Sequence, residues 1–181
     1  MTGRVRIIGG LFRGKTISVI DQDTLRPTPN RIRETLFNWL MHDIRDTVCL
    51  DAFAGSGALG LEALSRGARQ VVLLENDATV FKQLKLNVQS FKSEQISCYH
   101  QSFFDFLQQT AQVFDLVFLD PPFQEKWLVS CLEKLSVSPI LRSNGLVYLE
   151  ANQPLPDAGP QWEIIKSAKA ASIYFGLYKK W

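Results

Sequence analysis

The chain has 181 residues, 46% hydrophobic and 21% charged, with a net charge of +2. That balance suits one globular domain with a real core and excludes a disordered or fibrous chain. No apolar run is long enough to span a membrane, and MTGRVRIIGG lacks the apolar stretch of a secretion signal.

Cys49, Cys98 and Cys131 are odd in number and widely spaced. This argues against a disulfide framework or a zinc site, and for a reducing, cytoplasmic setting. The charge is uneven. Residues 1–33 carry Arg4, Arg6, Arg13, Lys15, Arg26, Arg31 and Arg33 against only Asp21 and Asp23, while the rest hold thirteen basic and sixteen acidic groups. Such an edge suits a polyanion, RNA or DNA, although a solvated terminus has the same composition.

In chain order, RVRIIGG and KTISVI alternate as short strands, with Gly9, Gly10 and Gly14 between them. They predict a basic hairpin or arm, residues 1–27, on a core of residues 28–181 within a single domain. LRPTPNRIRETLFNWLMHDI predicts a helix with Thr28 as N-cap and Pro29 at the first helical position. Ile32, Leu36, Leu40 and Ile44, with Phe37, form its apolar face.

From Val48 strands and helices alternate. VCLDAF leads through a glycine turn into ALGLEALSR, which Gly67 closes. QVVLLE, ISCYH, DLVFLD and GLVYLEA are further strands, separated by ATVFKQLKLNVQSF, FFDFLQQ and EKWLVSCLEKL. Helical crossovers require parallel neighbours. WEIIKSAKAASIYFGLYKKW, with no helical period, suits two more strands. The expectation is an α/β, doubly wound, Rossmann-like sheet of seven strands, mostly parallel, with an antiparallel C-terminal edge hairpin.

Two segments carry chemistry. LDAFAGSGALG puts Gly55, Gly57 and Gly60 in GxGxxG spacing between strand and helix, and Glu75 ends the next strand, where an acid can bind a ribose diol. A nicotinamide dinucleotide and S-adenosylmethionine both fit this pattern. Asp51, four residues before the first glycine, disfavours a pyrophosphate and welcomes a sulfonium and an ammonium. It could also simply bind the amides of the turn, as Glu75 could be a surface acid.

The second segment is VFLDPPF. Its prolines stop a strand and hold Asp120 extended at the strand's mouth. If the Asp120 carboxylate and the Pro121 carbonyl accept both N–H bonds of a base's exocyclic amine, the nitrogen becomes pyramidal and its lone pair is freed for methylation. Pro122 stiffens the clamp, and Phe123 offers a stacking face.

RIIGG, RGK, LRPT, RIRETLFNWL, LDAFAGSGALGLEALSRGA and LDPPF, in this order from Arg6 to Phe123, resemble the bacterial RsmD family. That family methylates the exocyclic 2-amino group of one guanine in 16S ribosomal RNA of an assembled or assembling small subunit. The resemblance implies S-adenosylmethionine contacts at Asp51, Ala54, Gly55, Ser56, Gly57, Glu75 and Asn76, with Ser102 and Phe103 in the adenine-contacting motif. It also implies catalysis at Asp120, with Pro121, Pro122 and Phe123 shaping the base pocket. Arg4, Arg6, Arg13, Lys15, Arg26 and Arg31 are RNA-binding candidates, with Thr28 beside them at the mouth; Arg13 and Lys15 flank Gly14 as phosphate contacts. A monomer with no membrane or metal partner is expected. Phe103, Phe104 and Phe106 also read as core residues, His42 and His100 as structural, and the Lys179–Lys180 pair as a solubility feature. The rivals are a DNA or RNA adenine methyltransferase, an RNA-binding assembly factor without turnover, and a nicotinamide oxidoreductase.

Overall fold

The computed structural model describes residues 2–20, 29–121 and 125–181. Nine strands and five helices alternate along them: β1 (Thr2–Arg6), β2 (Thr16–Ile20), α1 (Asn30–Trp39), β3 (Val48–Asp51), α2 (Ala58–Ser65), β4 (Gln70–Glu75) and α3 (Ala78–Phe91), then β5 (Ile96–His100), α4 (Phe103–Gln109), β6 (Phe114–Leu119), α5 (Glu125–Val137), β7 (Leu141–Ala151), β8 (Trp162–Ala170) and β9 (Ile173–Lys180).

Seven strands form one sheet in the order β5-β4-β3-β6-β7-β9-β8. The first five are parallel, and β9 runs antiparallel between β7 and β8. The last strand of the chain is therefore internal, and β8 is the true edge. The strand order reverses between β3 and β6, which opens a crevice beyond their carboxyl ends.

Two apolar layers cover the sheet. Cys49, Val71, Leu73, Leu116 and Phe118 pack with α1, α2, α3 and the β1–β2 hairpin. Leu50, Val72, Leu74, Val117 and Leu119 pack with α4 and α5. This alternation along buried strands follows from side chains pointing to opposite faces.

Helix α2 is buried along its whole length, because the β1–β2 hairpin lies over its outer side. At the hairpin turn Gly10 has φ +75°, and a Cβ there would overlap the Ser65 carbonyl. Only glycine allows that approach. The Leu11 N–H reaches the Ser65 carbonyl at 2.7 Å, and the Phe12 N–H reaches Ser65 Oγ at 2.9 Å.

An ionic clasp reinforces this contact. Glu62, fully buried, accepts from the Ile8 and Gly9 amides at 2.8 and 2.9 Å and pairs with Arg66 Nε at 2.7 Å. Arg33 Nη1 lies 3.6 Å from the same carboxylate, both side chains fully buried. Arg33 Nη2 donates to the Arg6 carbonyl. Arg33, counted in the sequence with the basic edge, is thus part of the core.

Three local expectations change. α1 begins at Asn30 with Pro29 as N-cap, since ψ of 143° keeps that proline extended rather than helical. Thr28 lies outside the described residues. The helix ends at Trp39, short of the predicted span, although Ile44 is still buried after a turn. Lys180 is buried rather than solvating. Its Nζ donates to the Leu135 and Ser138 carbonyls at 2.8 and 2.9 Å, and so caps the end of α5. Gly67, as expected, closes α2: its N–H bonds Leu64 and the Ala68 N–H bonds Ala63.

Candidate active site

Acids gather at the carboxyl ends of β3, β4 and β6. Asp51 is the last residue of β3 and pairs with Phe118 of β6, so Asp120 follows two positions further along the neighbouring strand. Glu75 ends β4.

Asp51 is only 2% exposed, and its Oδ2 accepts from the Gly60 amide at 2.9 Å. Burial, together with the charges of Asp120 and Glu75, pushes its pKa from 3.8 up to about 7. Hydrogen bonds from the Gly60 and Phe53 amides oppose this shift without cancelling it. Asp51 therefore both braces the glycine turn and faces two like charges.

Glu75 reaches back across the turn. Its Oε2 accepts from the Gly55 amide at 3.0 Å and its Oε1 from the Asp77 amide at 2.8 Å. A carboxylate offers about four lone-pair sites, so these two bonds orient the group without exhausting it. Gly55 and Gly57 have φ of 53° and 85°, and Gly57 is the N-cap of α2. A side chain at Gly57 would be strained and would meet Leu84 and Leu61. Ala54 is buried and its N–H bonds the Leu74 carbonyl.

Asn87 of α3 is a clasp that sequence reading missed. Its Oδ1 accepts from the Ser18 amide at 3.1 Å, and its Nδ2 donates to the Ser18 and Ser56 carbonyls at 2.8 and 3.0 Å. It ties the glycine turn to β2, and Ser18, Val19 and Ile20 line a small crevice with Gly55 and Ser56. No local pattern announces a pairing 69 residues apart.

Asn76 is exposed, and its carbonyl lies 3.0 Å from His100 Nε2. His100 stacks on Phe81 with centroids 5.2 Å apart. Ser102 caps α4, exchanging hydrogen bonds with the Asp105 amide and carboxylate. Phe103 is buried against Phe53 and Phe104, consistent with a core role for its ring. Asp120 is half-buried and Pro121 buried; Pro122 and Phe123 lie outside the described residues.

The basic candidates separate. Arg4, Arg6, Arg13 and Arg31 are exposed. Lys15 donates to the Ser90 carbonyl at 2.7 Å and lies over the Phe91 ring, at the end of α3. With the hairpin turn seated on Ser65, Arg13 and Lys15 lie towards the amino ends of the strands, away from the acids. Arg26 lies outside the described residues. At the acidic end the β8–β9 turn presents a pair not foreseen from sequence. Tyr174 is opposite Ala151, and Lys169 Nζ meets its hydroxyl at 2.8 Å. Only the strand pairing brings that turn to the mouth.

A family model described as "Conserved hypothetical protein 95" matches residues 5–179. The chain belongs to that family. The RsmD resemblance holds along the whole chain: a protein named "Ribosomal RNA small subunit methyltransferase D" from Haemophilus influenzae is 45% identical over 182 residues, covering 98% of this chain and 94% of that protein. The solved structure of yhhF from Escherichia coli superposes with a TM-score of 0.90 at 38% identity, covering 98% of both chains. More distantly, an RNA methyltransferase from Salinibacter ruber, solved in complex with S-adenosyl-L-homocysteine, is 15% identical with a TM-score of 0.66, covering 86% of this chain and 94% of that one. That likeness shows the shared fold.

Proposed function

We propose that this protein transfers a methyl group from S-adenosylmethionine to the exocyclic 2-amino group of a guanine in 16S ribosomal RNA. The observation that carries this reading is the gathering of Asp51, Glu75 and Asp120 at the strand-order switch of a chain belonging to an rRNA methyltransferase family. Like charges held together in a partly buried site favour a cationic ligand over an anionic one. A pyrophosphate-bearing dinucleotide does not fit, and a sulfonium with an ammonium does.

In this reading Gly55, Gly57 and the neighbouring Ala54 and Ser56 hold the cofactor against the turn. Asp51 faces its cationic part, and the free lone pairs of Glu75 accept from its ribose, with Asn76 beside it. The turn pinned by Ser102 and leading into Phe103 walls the adenine. When bound, the cofactor supplies an electrophilic methyl group.

The protein's own work is on the base. The Asp120 carboxylate and the Pro121 carbonyl accept the two N–H bonds of the amine, which localises its lone pair. Pro121 and Pro122 keep these acceptors fixed, and Phe123 stacks the flipped base. Asp120 takes the proton after transfer, when the nitrogen is cationic and acidic. Arg4, Arg6, Arg26 and Arg31, with Lys169, contact phosphates around the mouth.

The test is nucleoside analysis of 16S RNA from small-subunit particles lacking the mark, after incubation with the protein and labelled cofactor. N2-methylguanosine is the expected product. N6-methyladenosine, or label only in naked DNA supplied as a parallel substrate, would overturn the reading, and RNA binding without product would point to an assembly factor.

A further inference from the structure

One buried acid near the mouth has no part in the scheme so far. Glu150, on β7, is 7% exposed, and its Oε1 accepts the Tyr148 hydroxyl at 2.8 Å. β6 and β7 run parallel with Leu119 opposite Leu149, so Asp120 and Glu150 lie side by side one position further on. Neighbouring strands are about 4.8 Å apart. Tyr148 packs in the layer that holds Phe118, the partner of Asp51, and it feels the charges of both Glu150 and Asp120. Glu150 is therefore on the face of the sheet that carries the acidic crevice. A glutamate buried there and oriented by a buried tyrosine is no solvated surface charge.

We infer that Glu150 is a specificity-determining residue that accepts the N1–H of the target guanine while Asp120 holds its 2-amino group. This rests on the reading that Asp120 grips the amine. Guanine presents two adjacent donors on its Watson–Crick edge, the 2-amino group and N1–H. Two adjacent acceptors match it. Adenine places an acceptor, N1, beside its amine, and so would set a lone pair against the Glu150 carboxylate. Glu150 lies on the β7 side of Asp120, whereas Asp51 and Glu75 lie on the β3–β4 side. The base edge is thus read on one flank of Asp120, and the cofactor is held on the other.

The experiment replaces the target guanine by 2-aminopurine in small-subunit particles rebuilt from ligated 16S RNA. 2-Aminopurine keeps the amine but has an unprotonated N1. Wild type is expected to methylate guanine about 10- to 100-fold better in kcat/KM, the worth of one well-formed base-edge pairing. Glu150→Gln, whose amide can donate to N1, should lower the guanine rate and raise the 2-aminopurine rate, collapsing or reversing that ratio. Tyr148→Phe should shrink the ratio less. A wild-type ratio within threefold, or an E150Q variant that slows both bases equally, would overturn the inference. The wild-type measurement decides even if E150Q does not fold. Failure of wild type on the guanine particle would instead strike the underlying reading of Asp120.

Discussion

Two buried carboxylates on the same face of the sheet meet opposite surroundings. Glu62, towards the amino ends of the strands, lies among two arginines and two amides that answer its charge from within the chain. Asp51, at the carboxyl ends, is met by the Gly60 and Phe53 amides but, among the described residues, by no cation, and feels the charges of two other acids. The first arrangement closes on itself and holds the hairpin to the fold. In the proposed function the second is completed by a cation from outside. Burial alone does not mark a functional acid; the sign of its neighbours does.

Replacing Asp120 by Ala should have the largest effect. In the proposed mechanism it removes an acceptor for the amine, so kcat in single-turnover methylation should fall about 10²- to 10³-fold or more, with cofactor affinity nearly unchanged. Parallel loss of both would return Asp120 to a structural role. Glu62→Gln should next separate the two regions. Breaking a buried pair costs about 3–5 kcal/mol, to be read from urea unfolding. Asp51→Asn should not unfold the protein yet should weaken the cofactor roughly 10-fold or more, because the charge is lost while the side-chain oxygen can still accept from the Gly60 amide. If Asp51→Asn unfolds the protein as Glu62→Gln does, the contrast fails.

The pH dependence sharpens the same point. The pKa of Asp51 is raised on folding, so its favourable contribution is complete below about pH 4 and is lost as pH rises through about 7. The ligand-free protein should therefore lose stability from this group between about pH 4 and 7, and Asp51→Asn should flatten that slope. A cation favours the carboxylate, so calorimetry should show cofactor affinity rising across pH 6–8 with release of a proton. Flat affinity would mean that Asp51 does not face the charge. The smallest effects belong to the surface. Arg4→Ala with Arg6→Ala should reduce RNA affinity a few-fold and flatten its salt dependence by roughly two charges, with melting unchanged. Removing residues 1–20 should instead destabilise the fold, since Val5, Ile7 and Ile17 belong to its core.

The expected βα alternation was legible because each buried strand and each amphipathic helix announces itself within a few residues. α3, β4, β5 and α4 fall at the ranges read from sequence. The glycine turn, and the placing of Asp51 and Glu75 at strand ends, were legible too, since turn chemistry is local. Arg33 and Lys180 were misread because charge is a property of a residue, whereas burial is a property of its neighbours.

By itself, then, the sequence determined the order of elements, the residues that end strands at the mouth, and the family. Tertiary structure decided that the basic hairpin is a wall of the core, that β9 slips inside β8, and that Asn87 ties the turn to β2. It also decided that Glu150 stands beside Asp120. These depend on pairings tens of residues apart, which no local pattern encodes and only the packed chain can satisfy.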